Sequence, residues 1–151
     1  MIKSQSGFTL VEILMAILLI GIMSAVALPQ FIDFRKDANQ VTTQQKLNEL
    51  KMALIGDSRA VAGGRYIQAG YIAHVGSVPT SLTSLITQGA QPTYDPFTKK
   101  GWRGPYITTS DPNWNSDSWG TALQYTAATR TIRSCGADRI CGNTDDLTVQ
   151  F

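Results

Sequence analysis

The stretch Gly7-Phe8-Thr9-Leu10-Val11-Glu12 opens an apolar run that continues to Leu28, with Glu12 as its only charged residue. At about 1.5 Å per residue, a helix of roughly 21 residues spans the hydrocarbon core of a bilayer. The polar leader, residues 1–7, carries Lys3, and a cation beside an apolar helix favours a cytoplasmic N-terminus. We therefore predict one transmembrane helix over residues 8–28, preceded by a short leader.

A cleaved secretory signal peptide is the rival interpretation of this segment. Ala25-Val26-Ala27 supplies the small-x-small pattern that such a cleavage site requires. The apolar region of a secretory signal is usually only about 7–15 residues long. The longer run between Phe8 and Leu28 favours a retained helix.

Glu12 is the unusual residue of the segment, because a carboxylate inside a spanning helix costs a few kcal/mol and by default indicates a functional site. No Lys or Arg occurs between Phe8 and Phe34 to neutralise it. Cleavage after Gly7 would place a new α-amine on Phe8, and residues at i and i+4 share a helix face. The amine and Glu12 can therefore pair within one subunit or between neighbours. The alternative is that Glu12 snorkels to the interface and has no specific role.

The hexapeptide from Gly7 to Glu12, in front of an apolar helix, resembles the class III signal peptide of type IV prepilins and pseudopilins. This resemblance implies cleavage after Gly7 by an inner-membrane prepilin peptidase and methylation of the new amine on Phe8. It also implies that Glu12 neutralises the Phe8 amine of an adjacent subunit during assembly. Gly21 and Pro29 match family positions at which the helix bends or melts inside the filament.

After Pro29, which removes a backbone hydrogen bond, the pattern becomes that of an amphipathic helix over residues 29–62. Gly63-Gly64 is the predicted stop. The apolar positions are spaced mostly by three or four: Phe31, Phe34, Ala38, Val41, Leu47, Leu50 and Leu54. The break between Val41 and Leu47 predicts that the stripe changes partner there. The part from Leu47 to Leu54 is predicted to be ordinary core.

Residues 63–151 are predicted to form a globular domain with an irregular connector from Tyr66 to Gly76. A short helix is predicted within Val78–Ile86, capped by Thr80 or Ser81 and ended by Gly89. Residues 95–119 contain many turn formers and aromatic residues, which predicts loops interrupted by short strands. Alternating patterns predict three strands: Ala122–Thr126, Thr131–Ser134 and Leu147–Phe151. With a hairpin at 127–130, the fold class is α+β: one long helix packed on a small antiparallel sheet.

The C-terminal half also resembles the major pseudopilins of type II secretion. This resemblance implies the pilin fold. The residues that carry this resemblance are Gly101–Tyr106, Asp117–Gly120 with Leu123–Tyr125, Ser134–Asp138 and Gly142–Leu147. In those proteins a loop of this kind binds calcium. Two departures are that Arg139 replaces the usual glycine and that the loop contains Cys135 and Cys141.

A calcium ion takes six to eight oxygen ligands. The carboxylates of Asp138, Asp145 and Asp146, assisted by Ser134 or Thr144 and by backbone carbonyls, are the expected donors. The rival interpretation is that these aspartates form turns and accept bonds from backbone amides.

The two cysteines, Cys135 and Cys141, are predicted to form one local disulfide. Such a bond requires an oxidising compartment, so this part of the chain is expected outside the cytoplasm. A disulfide can replace or assist the calcium ion.

Composition argues against other classes of function. A net charge of +2 with 16% charged residues does not indicate a nucleic-acid binder. His74 is the only histidine and has no nucleophile motif beside it, so we expect no catalytic triad. Trp102, Trp114 and Trp119 are predicted to pack in the core or in loops, rather than to stack on bases.

The resemblance implies a structural subunit of a type IV pilus or of a type II secretion pseudopilus. The expected partners are other copies of the chain in a helical filament, the prepilin peptidase and the inner-membrane assembly platform. The expected location is the inner membrane, crossed once, with a periplasmic C-terminal domain, followed by a periplasmic or extracellular filament. The alternative is a minor pilin whose loops, from Tyr94 to Trp119, bind DNA, a surface or a secreted substrate. The basic cluster of Lys99, Lys100 and Arg103 is either a solvated loop or a contact for an acidic face of the next subunit.

Overall fold

A computed structural model describes residues 7–57, 61–62, 65–66, 68–108 and 110–151, without the side chains of 26–33, 61–62 and 65–66. The chain divides into two compact units, residues 1–38 and 39–151. Most of the leader, including Lys3, lies outside the described residues, as do Gly63 and Gly64.

One long helix, α1, runs from Leu10 to Ile55 and supplies most of the first unit. The predicted long helix is therefore confirmed, and its backbone is continuous through Gly21 and Pro29. Bending or melting at these two positions inside a filament stays a prediction. No helix among the described residues combines the length and the apolar character needed to cross a membrane.

The part of α1 in the second unit buries its apolar stripe. Leu47, Leu50 and Leu54 are 0%, 2% and 0% exposed, whereas Val41 is 57% exposed. These values confirm the predicted core between Leu47 and Leu54, and they place Val41 outside it. A change of partner after Val41 stays a prediction. Leucines three and four residues apart share one helix face, which explains why the three are buried together.

The end of α1 differs from the prediction. The helix ends at Ile55, not at Ala62, because Gly56 adopts a φ of 101°, in the left-handed region that favours glycine. The Gly56 N–H donates to the carbonyl of Met52 at 2.7 Å. A Cβ at this position would clash with the carbonyl oxygen of Gln68. A sequence pattern gives no sign of this close backbone approach.

The segment predicted to complete the helix instead contains a short strand, β1, Val61–Ala62. It pairs antiparallel with β2, Arg65–Tyr66, so that Val61 lies opposite Tyr66. The predicted boundary of the helical segment at residue 62 is therefore wrong.

Two short helical elements follow. The predicted irregular connector contains α2, Tyr71–Val75, which corrects the first prediction for this region. The predicted short helix is present as a 3-10 turn, Leu82–Leu85, which ends before Gly89. Ser81 occupies its N-cap position, but the side chain makes no cap bond and instead pairs with the Thr83 hydroxyl at 2.6 Å.

The three predicted C-terminal strands are confirmed as β3 Gln124–Thr126, β4 Thr131–Ser134 and β5 Leu147–Gln150. They form an antiparallel sheet in the order β3-β4-β5. Ile132 lies opposite both Tyr125 and Val149, and it is completely buried. Ile132 and Val149 share one hydrophobic core with Leu47, Leu54, Tyr71 and Leu85. The helix packed on a small antiparallel sheet confirms the α+β class and the pilin-like arrangement.

Candidate assembly motif and C-terminal loop

The predicted processing junction lies at the start of α1, where Thr9 caps the helix. The Thr9 hydroxyl accepts a hydrogen bond from the Glu12 N–H at 3.3 Å, and the Thr9 carbonyl accepts one from Ile13 at 3.3 Å. Thr9 and Glu12 have the spacing of a capping box, which stabilises a helix N-terminus. Sequence reasoning missed this role of Thr9, although its T-x-x-E signature was available.

Phe8 and Glu12 are both exposed at this helix end, Phe8 by 79%. Glu12 lies in the first turn, where unpaired backbone N–H groups favour a negative charge. Gly7 is exposed and precedes the helix without regular secondary structure. The Gly7–Phe8 bond therefore lies before the first residue of α1. The processing and assembly roles of Gly7, Phe8 and Glu12 stay predictions.

The C-terminal loop connects β4 to β5 and is closed by a disulfide. Cys135 and Cys141 are bonded, with their Cα atoms 4.3 Å apart, and Cys135 is 4% exposed. The predicted pairing is thereby confirmed. A loop closed over so few residues restricts the unfolded chain and stabilises the folded one.

Asp145 holds one side of this loop. Its Oδ2 accepts hydrogen bonds from the backbone N–H groups of Ala137 at 2.8 Å and Asp138 at 3.3 Å. Gly136 adopts a φ of 67°, and a Cβ there would clash with Asp145. The glycine therefore lets the carboxylate reach the two amides.

Asp138 and Asp146 hold the tip of the loop. Asp138 accepts the N–H of Ile140 at 2.8 Å through Oδ1 and the side-chain amide of Asn143 at 2.6 Å through Oδ2. Asp146 Oδ2 accepts the N–H of Gly142 at 2.8 Å and lies 3.7 Å from an Arg133 guanidinium nitrogen. These contacts match the rival interpretation, in which the aspartates cap backbone amides.

The fit of this loop to calcium rests on which oxygens point at one place. Among the described residues, no group of three His, Cys, Asp or Glu side chains is arranged to hold a metal ion. Ser134 faces elsewhere, because its hydroxyl donates to Asp117 at 2.7 Å. Asp146 Oδ1 is buried without a hydrogen-bond partner, but a single oxygen does not make a calcium site. As arranged here the donors do not fit the ion, and calcium binding stays a prediction.

Asp117 is the buried polar centre that sequence reasoning missed. It is 5% exposed and accepts three bonds: from the N–H of Trp119 at 3.0 Å, from the N–H of Thr121 at 2.8 Å, and from Ser134. A buried carboxylate is stable when its oxygens are satisfied in this way. Asp117 thus joins the long loop before β3 to strand β4. The sequence Asp117-Ser118-Trp119-Gly120 predicted a loop and carried part of the resemblance, but it did not predict that the carboxylate would be buried.

Helix α1 holds the same loop from the other side. The buried hydroxyl of Thr43 accepts the N–H of Ser118 at 3.1 Å. One turn later, Lys46 Nζ donates to the carbonyls of Asn113 at 3.0 Å and Ser116 at 2.9 Å. Lys46 also lies 3.4 Å from Asp111. The amphipathic helix therefore contributes polar as well as apolar contacts to the second unit.

His74 is packed among aromatic rings and is 9% exposed. Its Nδ1 lies 3.2 Å from the Tyr106 hydroxyl. Its ring packs edge-on against the Tyr94 ring, with the two ring centroids 5.4 Å apart. Burial, followed by the charges of Arg103 and Lys100, lowers the pKa of His74 below its usual value. This histidine belongs to the packing of the domain, and the uncharged form suits its surroundings.

Two family comparisons identify the chain. The family described as "Prokaryotic N-terminal methylation motif" matches residues 2–28. The family described as "Type II secretion system (T2SS), protein G" matches residues 30–150, which is most of the sequence. The chain belongs to the type II secretion system protein G family. The predicted resemblance to pseudopilins is confirmed over both halves.

Individual relatives agree with this membership in the protein G family. The chain is 28% identical to the "Type II secretion system core protein G" of Pseudomonas aeruginosa, over 95% of this chain and 92% of that protein. It is 26% identical to the core protein G of Aeromonas hydrophila, over 96% and 92%. A "Fimbrial protein" of Pseudomonas aeruginosa is 35% identical, but over only 34% of this chain and 33% of its own length. No solved structure matches the chain.

Proposed function

We propose that this protein is a structural subunit of a type II secretion pseudopilus, assembled in many copies into a helical filament. The observation that carries the proposal is the surface of α1. Its large apolar side chains between Leu10 and Met23 are 52–80% exposed. An isolated soluble subunit rarely exposes so long an apolar surface to water, so lipid or neighbouring subunits must cover it.

The precursor is anchored in the inner membrane by residues 8–28, and the prepilin peptidase removes residues 1–7 from the cytoplasmic side. The match of residues 2–28 to the methylation motif supports this route. The disulfide between Cys135 and Cys141 supports an oxidising compartment, hence a periplasmic position for the C-terminal domain. The inner-membrane assembly platform then moves subunits from lipid into the filament.

Glu12 and the new amine of Phe8 direct this transfer. A carboxylate in hydrocarbon is costly, and a nearby cation lowers that cost. In the filament, the Phe8 amine of one subunit meets Glu12 of the next, so a subunit in the wrong register leaves both charges unpaired. The pairing therefore sets the axial position of each added copy.

The subunit acts as a fibre or piston and performs no catalysis. A minor subunit with a binding role is the second candidate, favoured by the exposed Phe97 in the loop region from Tyr94 to Trp119, whose side chain is 94% exposed. Calcium at the C-terminal loop remains a proposal based on the resemblance. A comparison of the melting temperature with and without EDTA tests this proposal.

Abundance in a sheared filament preparation separates the two candidates. We expect this chain to be the most plentiful protein of the preparation, and we expect a strain without it to lose both filaments and secretion. A deletion that leaves filament mass unchanged while altering only substrate binding would favour the minor-subunit role. Secretion that continues without this chain would contradict both.

A further inference from the structure

Two loop tips of the C-terminal unit present isolated apolar side chains to solvent. Phe97 is 94% exposed and Ile140 is 66% exposed. Among the described residues of this unit, the other large apolar side chain with comparable exposure is Val41, at 57%. Because Phe97 and Ile140 are both open to water, neither covers the other within one subunit.

Both tips are built in the same way, which fixes the backbone that carries the apolar side chain. Asp95 Oδ1 accepts the N–H of Phe97 at 2.9 Å, and Asp138 Oδ1 accepts the N–H of Ile140 at 2.8 Å. Each is an aspartate bonded to the backbone two residues later, a common device for fixing a turn. The N–H of Phe97, followed by the Thr98 hydroxyl, holds the pKa of Asp95 below its usual value.

Further bonds fix each tip from its sides. At the first tip, Asp95 and Lys100 form a backbone bridge, with the Asp95 N–H 2.7 Å from the Lys100 carbonyl. At the second tip, Cys141 follows Ile140 directly and is tied to Cys135. A tip whose backbone is fixed in advance loses less entropy when a partner binds it than a disordered loop would.

The charges around the two tips are opposite. Residues 95–103 contain Lys99, Lys100 and Arg103 against the single carboxylate of Asp95. Residues 138–146 contain the carboxylates of Asp138, Asp145 and Asp146 against the cation of Arg139. Asp146 is paired with Arg133 at 3.7 Å, so Asp138 and Asp145 supply the acidic character of this tip. Lys99 and Asp138 are exposed at their respective tips. Opposite charge around two apolar points favours contact between the tips and disfavours contact of either tip with its own copy.

We propose that the Phe97 tip of one subunit docks on the Ile140 tip of a neighbouring copy of the same chain. This inference rests on the proposed filament function. The two patches differ, so the contact is heterologous, and a repeated heterologous contact that does not close produces an open helical filament. The apolar pair is the centre of the contact, and the oppositely charged residues surround it.

Photo-crosslinking in intact filaments tests the contact with little change to the chain. Replacing Phe97 by p-benzoylphenylalanine keeps an aromatic side chain and captures whatever lies against it. We expect a ladder of crosslinked multimers, with the adduct mapped by mass spectrometry to residues 138–143 of another copy. Adducts to residues 95–103 of another copy, to a different surface, or no adducts in intact filaments would overturn the proposal.

Paired serine substitutions give an independent measure. We expect Phe97→Ser and Ile140→Ser each to lower the yield of sheared filaments by about five- to thirty-fold, the effect of one or two kcal/mol. The double variant should be no worse than either single variant, because both remove the same contact. Ala128→Ser, at an exposed turn of the same domain, should leave the yield unchanged.

Two further readouts separate this inference from the proposed function. Processed, disulfide-bonded subunit should accumulate in the membrane at normal levels in both single variants. Additive losses, or normal filament yield in both, would contradict the docking contact while leaving the filament function intact. Absence of filaments from the unmodified chain would instead contradict the proposed function itself.

Discussion

The two ends of helix α1 carry similar apolar residues in opposite environments. In its first part, Leu10 and Met23 are 80% and 73% exposed, whereas in its last part Leu47 and Leu54 are fully buried. The last part packs on the core of its own domain. The first part leaves its large apolar side chains exposed. One helix thus combines a region buried in its own domain with a region that the proposed filament would cover.

The largest expected effect comes from changing Glu12, the one charged residue within the exposed apolar part of α1. We expect Glu12→Val to lower filament yield more than tenfold, because the Phe8 amine then has no carboxylate to guide it. Cleavage after Gly7 should be largely retained. The measurement is filament yield after shearing, together with the mass of the subunit in the membrane.

Glu12→Asp is the matched control, because it retains the charge and should retain part of the assembly. Filaments at normal yield in Glu12→Val would show that the carboxylate does not direct assembly. A loss of cleavage in the same variant would move its role to processing.

The stability of the C-terminal domain should depend strongly on the buried carboxylate of Asp117. In a soluble fragment of residues 30–151, we expect Asp117→Ala to lower the free energy of unfolding by about 3 kcal/mol, because the buried donors around it lose their acceptor. Urea denaturation measures this loss. Asp111→Ala, in the same loop but exposed, should cost only a small fraction of it. Equal losses would show that burial of Asp117 contributes nothing.

The C-terminal loop should depend more on its disulfide than on an ion. We expect Cys135→Ser combined with Cys141→Ser to destabilise the fragment by about 2 kcal/mol, the chain-entropy value for so short a loop. Chelation with EDTA should lower the melting temperature of the fragment by less than the double cysteine substitution does, because the aspartates already accept amide hydrogen bonds. A chelation effect as large as that of the double variant would place calcium at the centre of the loop's stability.

The smallest expected effect is a pH dependence from His74. Its pKa in the folded domain is lowered by burial and by Arg103 and Lys100, so the unfolded chain binds a proton more readily. The contribution of His74 to the free energy of unfolding is therefore fully present above the pKa of the unfolded chain, about 6.5, and is lost as the pH falls below it. Melting curves between pH 8 and pH 5 should show a decline that His74→Gln reduces. An identical decline in His74→Gln would assign it to other groups.

The sequence alone predicted the elements that local pattern controls. The long helix, strands β3 to β5 and the disulfide were predictable because periodicity, alternation and cysteine spacing are properties of neighbouring residues. The end of α1 at Ile55 was not, since it depends on the approach of the Gln68 backbone to Gly56. Asp117 was missed for the same reason, because its partner Ser134 is brought close only by the folded sheet.

The candidate sites divide in the same way. The motif from Gly7 to Glu12 is contiguous, so it could be recognised directly, and the match to the methylation motif covers it. The calcium ligands were expected from the resemblance and from three carboxylates in one loop, but Ser134 contacts Asp117 and the aspartates accept backbone amides. Spacing predicts which residues share a loop; it does not predict where their oxygens point.

The mature N-terminus of the native subunit tests the central claim most directly. Intact-mass and fragment-ion spectrometry of subunits taken from filaments should give a chain that begins at Phe8 and carries a methyl group on its α-amine. That result would establish that proteolysis creates the cation beside Glu12. A native chain that begins at Met1 would leave Glu12 without the new amine of Phe8, and one that begins after Ala27 would lack Glu12 itself. Either result would contradict the claim.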